Sequence, residues 1–188
     1  MSTLFVSEFI SLDGVVEAPG GEPTHPQAGW TMAYNSPENM EYKLAEVHEA
    51  ESLLIGRRTY ETFAGAWPTR DGEFADKMNA MPKYVVSSTL QSPEWNNTTV
   101  LSGDWAAAVE KLKAADAGPI MVAGSATLVR ELLERDLVDE LRLMVFPVMI
   151  GGGLRFFPDA REKLAFELAD TKAYSSGVML NRYRKASP

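Results

Sequence analysis

Short apolar runs alternate with helical patterns along most of this chain, and this alternation restricts the fold more than any other feature. The runs are rich in Val, Ile and Leu and have the length of strands rather than of buried helices. We predict strands over residues 4–10, 52–55, 83–87, 98–101 and 120–123, and helices over 37–50, from 59, over 104–115 and over 126–135. Strand–helix alternation predicts a mostly parallel sheet with helices on both faces.

The last third of the chain has a different pattern. Residues 138–148, 165–174 and 178–184 are predicted strands, and Ser175-Ser176-Gly177 is a predicted turn between the last two. These two strands would form an antiparallel hairpin at one edge of the sheet. We therefore predict an α/β fold of about eight strands and about four helices.

Length and charge set the domain count and the partners. A chain of 188 residues buries about 70% of its surface on folding, enough for one core, so we expect a single domain over residues 1–188. The net charge of −8 disfavours nucleic acid and anionic membrane surfaces as partners. No cysteine and only two histidines are present, so we expect no metal site. The N-terminus lacks the features of a signal peptide, and we expect a cytoplasmic protein.

Three predicted strands end in small, hydroxyl-bearing or basic residues. The segments are Gly56-Arg57-Arg58-Thr59, Ser87-Ser88-Thr89 and Ala123-Gly124-Ser125-Ala126-Thr127. In α/β sheets, ligands bind beyond the carboxyl ends of strands, where helix N-termini offer free N–H groups to anions. Guanidinium and hydroxyl groups bind phosphate well. Each end alone could be a cap or a turn, but the three together predict an extended anionic ligand.

The two common nucleotide signatures, G-x-G-x-x-G after the first strand and G-x-x-x-x-G-K-[ST], are missing from the sequence. Rossmann dehydrogenases and P-loop enzymes are therefore disfavoured. Instead, residues 56–61, 85–88 and 122–128 resemble, in order and at similar spacing, the three NADPH-binding segments of the dihydrofolate reductase superfamily. Ser11-Leu12-Asp13-Gly14 and residues 147–157 resemble more specifically the C-terminal reductase domain of the bifunctional riboflavin-biosynthesis protein.

This resemblance covers nearly the whole chain. It implies a dihydrofolate-reductase-like three-layer sandwich and an oxidoreductase that transfers a hydride from NADPH to a small heterocycle, as 5-amino-6-(5-phosphoribosylamino)uracil reductase does. A true dihydrofolate reductase is one alternative, since the predicted first helix carries four glutamates but none aligns clearly with the pterin-binding acid of those enzymes. A non-catalytic, dimeric nucleotide-binding protein is the other.

The resemblance also implies roles for individual residues. The implied cofactor-binding residues are Gly56, Arg57, Arg58, Thr59, Ser87, Ser88, Gly124, Ser125, Ala126 and Thr127. Arg57 with Ser87 or Ser88 would hold the 2′-phosphate, and Thr59 would lie at the pyrophosphate. A cis peptide bond is expected between Ala123 and Gly124.

Two long loops, residues 13–37 and 147–160, are candidate walls of the site. Asp13 is the carboxylate expected nearest the reaction, although it could instead form a turn with its own backbone. Trp30 could cover a flat heterocycle or pack on the surface. Gly152 and Phe156 are the further candidate substrate-binding residues.

We also expect a homodimer. The apolar run 141–150 and the pair Phe156-Phe157 would leave much surface wet in a monomer. The alternative is that these residues fill the core.

Overall fold

Eight strands form one sheet in the computed structural model, which describes residues 1–157 and 163–186. The strands are β1 (Leu4–Ser11), β2 (Ser52–Gly56), β3 (Lys83–Val86), β4 (Thr98–Leu101), β5 (Ile120–Ala123), β6 (Glu140–Phe146), β7 (Phe166–Ala173) and β8 (Met179–Lys185). The helices are α1 (Pro37–Glu49), α2 (Arg57–Ala66), α3 (Glu73–Ala80), α4 (Trp105–Ala114) and α5 (Ala126–Glu134).

The strand order is β4-β3-β2-β5-β1-β6-β8-β7. The first six strands in this order are parallel, and β8 and β7 close the sheet as an antiparallel pair. The fold is therefore the mostly parallel α/β sheet with a C-terminal hairpin that the sequence predicts. No helix within the described ranges is long and apolar enough to cross a membrane.

Helices cover both faces of the sheet. On one face, Leu4 and Val6 of β1 share a core with Leu132 of α5; on the other, Phe5 packs with Val47 of α1. The chain thus leaves β1 towards one face and leaves the neighbouring strand β5 towards the other. A crevice at the carboxyl ends of two such strands is the usual ligand site of an open α/β sheet.

Helix α3 is missing from the sequence prediction. It has only two buried residues, Ala75 and Met78, so its apolar periodicity is weak. It also begins after Gly72, which has a φ of 101° and no side chain that could cap the helix, so the usual sequence signal for a helix start is missing. A contact of 2.9 Å between the Glu73 carboxylate and the His48 imidazole of α1 helps to hold it.

Most of the surface expected to form a dimer interface belongs to the core, although Met149 is exposed. Strand β6 lies between β1 and β8, and Leu141, Met144 and Phe146 are each 2% exposed. Phe156 is 1% exposed, whereas Phe157 is 53% exposed. That interpretation was wrong because six parallel strands and a hairpin bury β6 within a single chain. Of the long loop predicted over 147–160, residues 158–160 lie outside the described residues.

Candidate functional site

The turns that follow β2 and β5 are fastened to each other. The Oγ of Ser125 accepts a hydrogen bond of 2.9 Å from the Gly56 N–H and donates one of 2.7 Å to the Thr59 hydroxyl. The N-termini of α2 and α5 therefore lie side by side, and neither has a side-chain cap. Uncapped N–H groups and two helix dipoles at one place suit a diphosphate.

The turn after β5 contains no cis bond. Among the described residues every peptide bond is trans, which overturns the cis peptide expected between Ala123 and Gly124. The chain reverses instead through two successive left-handed residues, Gly124 with φ of 60° and Ser125 with φ of 65°. Because Gly124 lacks a side chain, this conformation costs it little. Of the neighbouring residues expected to bind a cofactor, Ala126 is buried and Thr127 is exposed.

A cleft of about 460 Å³ lies at the carboxyl ends of β2, β3 and β4. Arg57, Ser87 and Ser88 line it together, so the structure unites three predicted residues from two distant segments. Arg58 does not line this cleft. The guanidinium of Arg57 also pairs at 3.3 Å with Glu61, one turn along α2, and both side chains are about half exposed.

Sequence reasoning missed three of the residues that line this cleft. Ser102, Gly103 and Trp105 line it from the end of β4. The segment Ser102-Gly103-Asp104 follows β4 and is small and polar, like the three strand ends from which the other site residues were predicted. This similarity could have identified Ser102 and its neighbours. The cleft thus offers one cation, several hydroxyl groups and an indole ring, which together suit a phosphorylated nucleoside.

Asp13 fastens the two long loops. Its carboxylate accepts hydrogen bonds from the Ser11 hydroxyl at 2.7 Å and from the N–H groups of Ile150 at 3.1 Å and Gly151 at 2.8 Å. The Ser11 bond, followed by these backbone bonds, lowers the pKa of Asp13 to about 2. Asp13 is therefore a carboxylate at neutral pH, and Arg155 binds its backbone carbonyl.

Further contacts join the same loops. The Leu154 N–H donates to Glu17 at 2.8 Å, and Val15 forms a β-bridge with Arg155. The Trp30 indole N–H donates to the Glu17 carbonyl at 2.8 Å, and its ring packs edge-on against Phe146 at 5.4 Å.

The three candidate substrate-binding residues differ in their exposure to solvent. Trp30 and Phe156 are buried, whereas Gly152 is exposed.

The structure distinguishes the glutamates of the first helix, which sequence reasoning left unresolved. Glu46 is the buried one, at 2% exposure. Its carboxylate accepts a 2.7 Å bond from Ser7 of β1 and a 3.2 Å bond from the Tyr42 hydroxyl, and Lys43 contacts both Ser7 and Glu46. Glu38 binds Ser175 and Glu49 binds Arg142, and Glu41 is exposed. The buried glutamate of this helix, Glu46, is thus paired with Lys43 of the same helix.

A second buried carboxyl group was missed altogether. Glu8 of β1 is 5% exposed, and burial raises its pKa from 4.5 to about 8. A charged residue within the apolar run 4–10 was the available signal. At neutral pH this side chain is mainly an uncharged acid.

Comparison with known proteins agrees with the fold. Residues 2–180 match the sequence model of the RibD C-terminal domain. The chain belongs to this family. It is similar to the uncharacterized protein YyaP of Bacillus subtilis (strain 168), with 26% identity over 179 residues, covering 90% of this chain and 88% of YyaP.

Two solved structures share the fold of this RibD C-terminal domain protein. A Shewanella sp. PV-4 protein whose name assigns it to riboflavin biosynthesis aligns with a TM-score of 0.78 and 19% identity, covering 98% of this chain and 99% of that one. A pyrimidine reductase-like protein from Corynebacterium diphtheriae aligns with a TM-score of 0.70 and 12% identity, covering 100% and 93%. The sheet is thus the reductase-like fold that the sequence predicts.

Proposed function

We propose that this protein is an NADPH-dependent reductase that transfers a hydride to a small heterocycle of the pyrimidine type, as in riboflavin biosynthesis. Family membership supports a reductase, and the likeness to a pyrimidine reductase-like protein supports the substrate class. The observation that carries the cofactor is the cleft of Arg57, Ser87 and Ser88 in line with the paired helix N-termini. A cationic, hydroxyl-rich cleft favours a 2′-phosphate over a free hydroxyl.

The strand order supports a direction for the dinucleotide. The phosphate cleft lies at β2, β3 and β4, the paired helix N-termini follow β2 and β5, and β1 comes next. Neighbouring strands are about 4.8 Å apart, so the three steps from β3 to β1 span roughly 14 Å. An extended dinucleotide with its 2′-phosphate in the cleft would have its nicotinamide end beside β1.

The residues of this chain would bind, align and shield the reactants. NADPH, when bound, would supply the hydride. Thr59, Ser125 and the first N–H groups of α2 and α5 would hold the pyrophosphate. Asp13 would hold the two long loops, residues 13–37 and 147–157 (the covering loops), closed beside the reaction and so help to exclude water, which is what hydride transfer requires of a protein. Gly152 would lie at the substrate, with Trp30 and Phe156 supporting that wall from behind.

Two measurements test this function. Fluorescence titration with NADPH and NADH should give tighter binding of NADPH, and NADPH oxidation should follow addition of a ribosylaminopyrimidinone but not of dihydrofolate. Turnover of dihydrofolate alone would favour a true dihydrofolate reductase. NADPH binding without turnover of either class would favour the non-catalytic alternative.

We also propose that the protein forms a homodimer through β7. This edge strand is eight residues long with mostly exposed side chains, Leu168 among them at 57%. The register of β7 with β8 shifts at Ala169, where β7 has a bulge. Antiparallel pairing of two β7 strands about a two-fold axis at this bulge would bring Glu167 of each chain towards Lys172 of the other. A long exposed edge strand is prone to such pairing, and opposite charges favour it. A cytoplasmic location stays a prediction.

A further inference from the structure

Glu8 lies where β1 loses one of its two neighbours. Ser7 pairs with Ala123, the last residue of β5, and Glu8 is the next residue of β1. On its other side Glu8 pairs with Leu143 of β6. The chain leaves β5 through the Gly124–Ser125 turn, so position 8 stands at the point where β1 and β5 diverge. This is the crevice at which the strand order changes direction.

The carboxyl group of Glu8 is buried and incompletely hydrogen-bonded. It shares a face of β1 with Val6 and Ile10, which belong to an apolar cluster that includes Val16 and Phe156 of the covering loops. One oxygen, Oε2, has no hydrogen-bond partner among the described residues. A buried polar atom without a partner has lost its hydrogen bonds to water without replacement, so it calls for an explanation such as a bound water, ion or ligand group.

The charges that act on Glu8 are few. Burial is the main cause of its raised pKa, a hydrogen bond from the Phe9 backbone and the charge of Lys43 of α1 oppose the rise, and Glu22 of the first covering loop adds to it. The register neighbour on β6, Leu143, is apolar. An uncharged carboxylic acid has one O–H donor and one C=O acceptor side by side. A primary carboxamide offers the complementary pair, a C=O acceptor beside an N–H donor.

We propose that the carboxyl group of Glu8 binds the carboxamide of the nicotinamide ring through this pair of hydrogen bonds. The inference rests on the proposed function, because that function brings the nicotinamide end of the dinucleotide to β1. It assigns a recognition role to a side chain of the first strand, and it explains why a carboxyl group is kept in an apolar setting. It also makes cofactor binding depend on pH.

The test measures binding of two probes, NADPH and adenosine 2′,5′-bisphosphate, which contains the 2′-phosphate but no nicotinamide. In Glu8→Leu, NADPH binding at pH 6.5 should weaken roughly tenfold, the loss expected for hydrogen bonds of about 1.4 kcal/mol, while binding of the bisphosphate is unchanged. In Glu8→Gln, NADPH binding should persist, because a Gln amide also presents one donor and one acceptor. The wild type should bind NADPH more weakly at pH 9 than at pH 6.5, and Glu8→Gln should not.

Thermal unfolding of each variant verifies that it is folded before titration. Normal NADPH binding by Glu8→Leu, or equal weakening of both probes, would overturn the role of Glu8 alone. If the wild type bound the bisphosphate but not NADPH, the crevice at β1 would be the wrong place for the ring. If the wild type bound neither probe at either pH, the proposed function would fail together with the role of Glu8.

Discussion

Arg57 decides the preference for a phosphorylated cofactor if the cleft binds the 2′-phosphate. Arg57→Ala should weaken NADPH binding tenfold or more and leave NADH binding nearly unchanged, because a charge-assisted hydrogen bond is worth about 1.5–3 kcal/mol. The matched control is Arg58→Ala, which removes the same group one residue further along, outside the cleft. Titration by protein fluorescence measures both. Equal losses for both cofactors in Arg57→Ala would remove this residue from the 2′-phosphate.

Glu8 should also control how stability varies with pH. Its pKa is raised to about 8 in the folded protein, so the folded state keeps a proton that the unfolded chain releases above about pH 4.5. Stability should therefore fall as pH rises from about 4.5 to 8, by at most about 1.4 kcal/mol per pH unit, and level off above 8.

Thermal unfolding of the wild type and Glu8→Gln between pH 5 and 9 checks this dependence. The difference in Tm should shift steadily in favour of Glu8→Gln up to pH 8, because the amide does not titrate. A difference that is constant across the range would mean that Glu8 titrates normally.

Individual site residues could be predicted from the sequence where they belong to a local motif. Arg57, Ser87 and Ser88 were predicted from strand ends and meet in one cleft. Glu8 was not singled out, because its chemistry comes from burial beneath a loop, which no local pattern reports. The pairing of Glu46 with Lys43 and Ser7 was hidden for the same reason: it depends on how α1 packs on β1.

Among the elements, the tie between the β2–α2 and β5–α5 turns should matter for both stability and binding. Ser125→Ala removes the acceptor of the Gly56 N–H and should lower stability by about 1–3 kcal/mol. It should also weaken NADPH binding, because the two helix N-termini lose their common anchor. Thr127→Ala, at an exposed position two residues on, is the control for stability. Thermal unfolding and NADPH titration measure the two effects, and a Ser125→Ala protein as stable as Thr127→Ala would show that the tie is unimportant.

Most elements could be predicted because their signals are local. The helix of residues 104–115 was found with its cap, and Asp104 does accept a bond from the Ala107 N–H at the start of α4. Strand order could not be read from the sequence, since it depends on which face each crossover takes. The turn at Gly124 was mistaken for a cis bond because small residues suit either geometry, and successive left-handed residues need no strained peptide.

For the whole molecule, the proposed dimer should depend on the exposed edge. Leu168→Lys would place two like charges near the two-fold axis and should convert a dimer into a monomer of 20.7 kDa. Sedimentation equilibrium at micromolar concentration measures the mass. Leu164→Lys changes a similarly exposed leucine outside the strand and should leave the dimer intact. A wild-type mass of 20.7 kDa would end the proposal.

The fastening of the two covering loops sets how a ligand can enter and leave. Asp13 holds one loop to the other through the N–H groups of Ile150 and Gly151, and Glu17 adds a bond to Leu154. Because these bonds all join the same two segments, a ligand held beneath them, as proposed, would enter and leave only when the bonds break together. Binding and release would then share a single kinetic barrier. If the bonds form equally with and without the ligand, lowering this barrier would speed both directions and leave the equilibrium affinity almost unchanged.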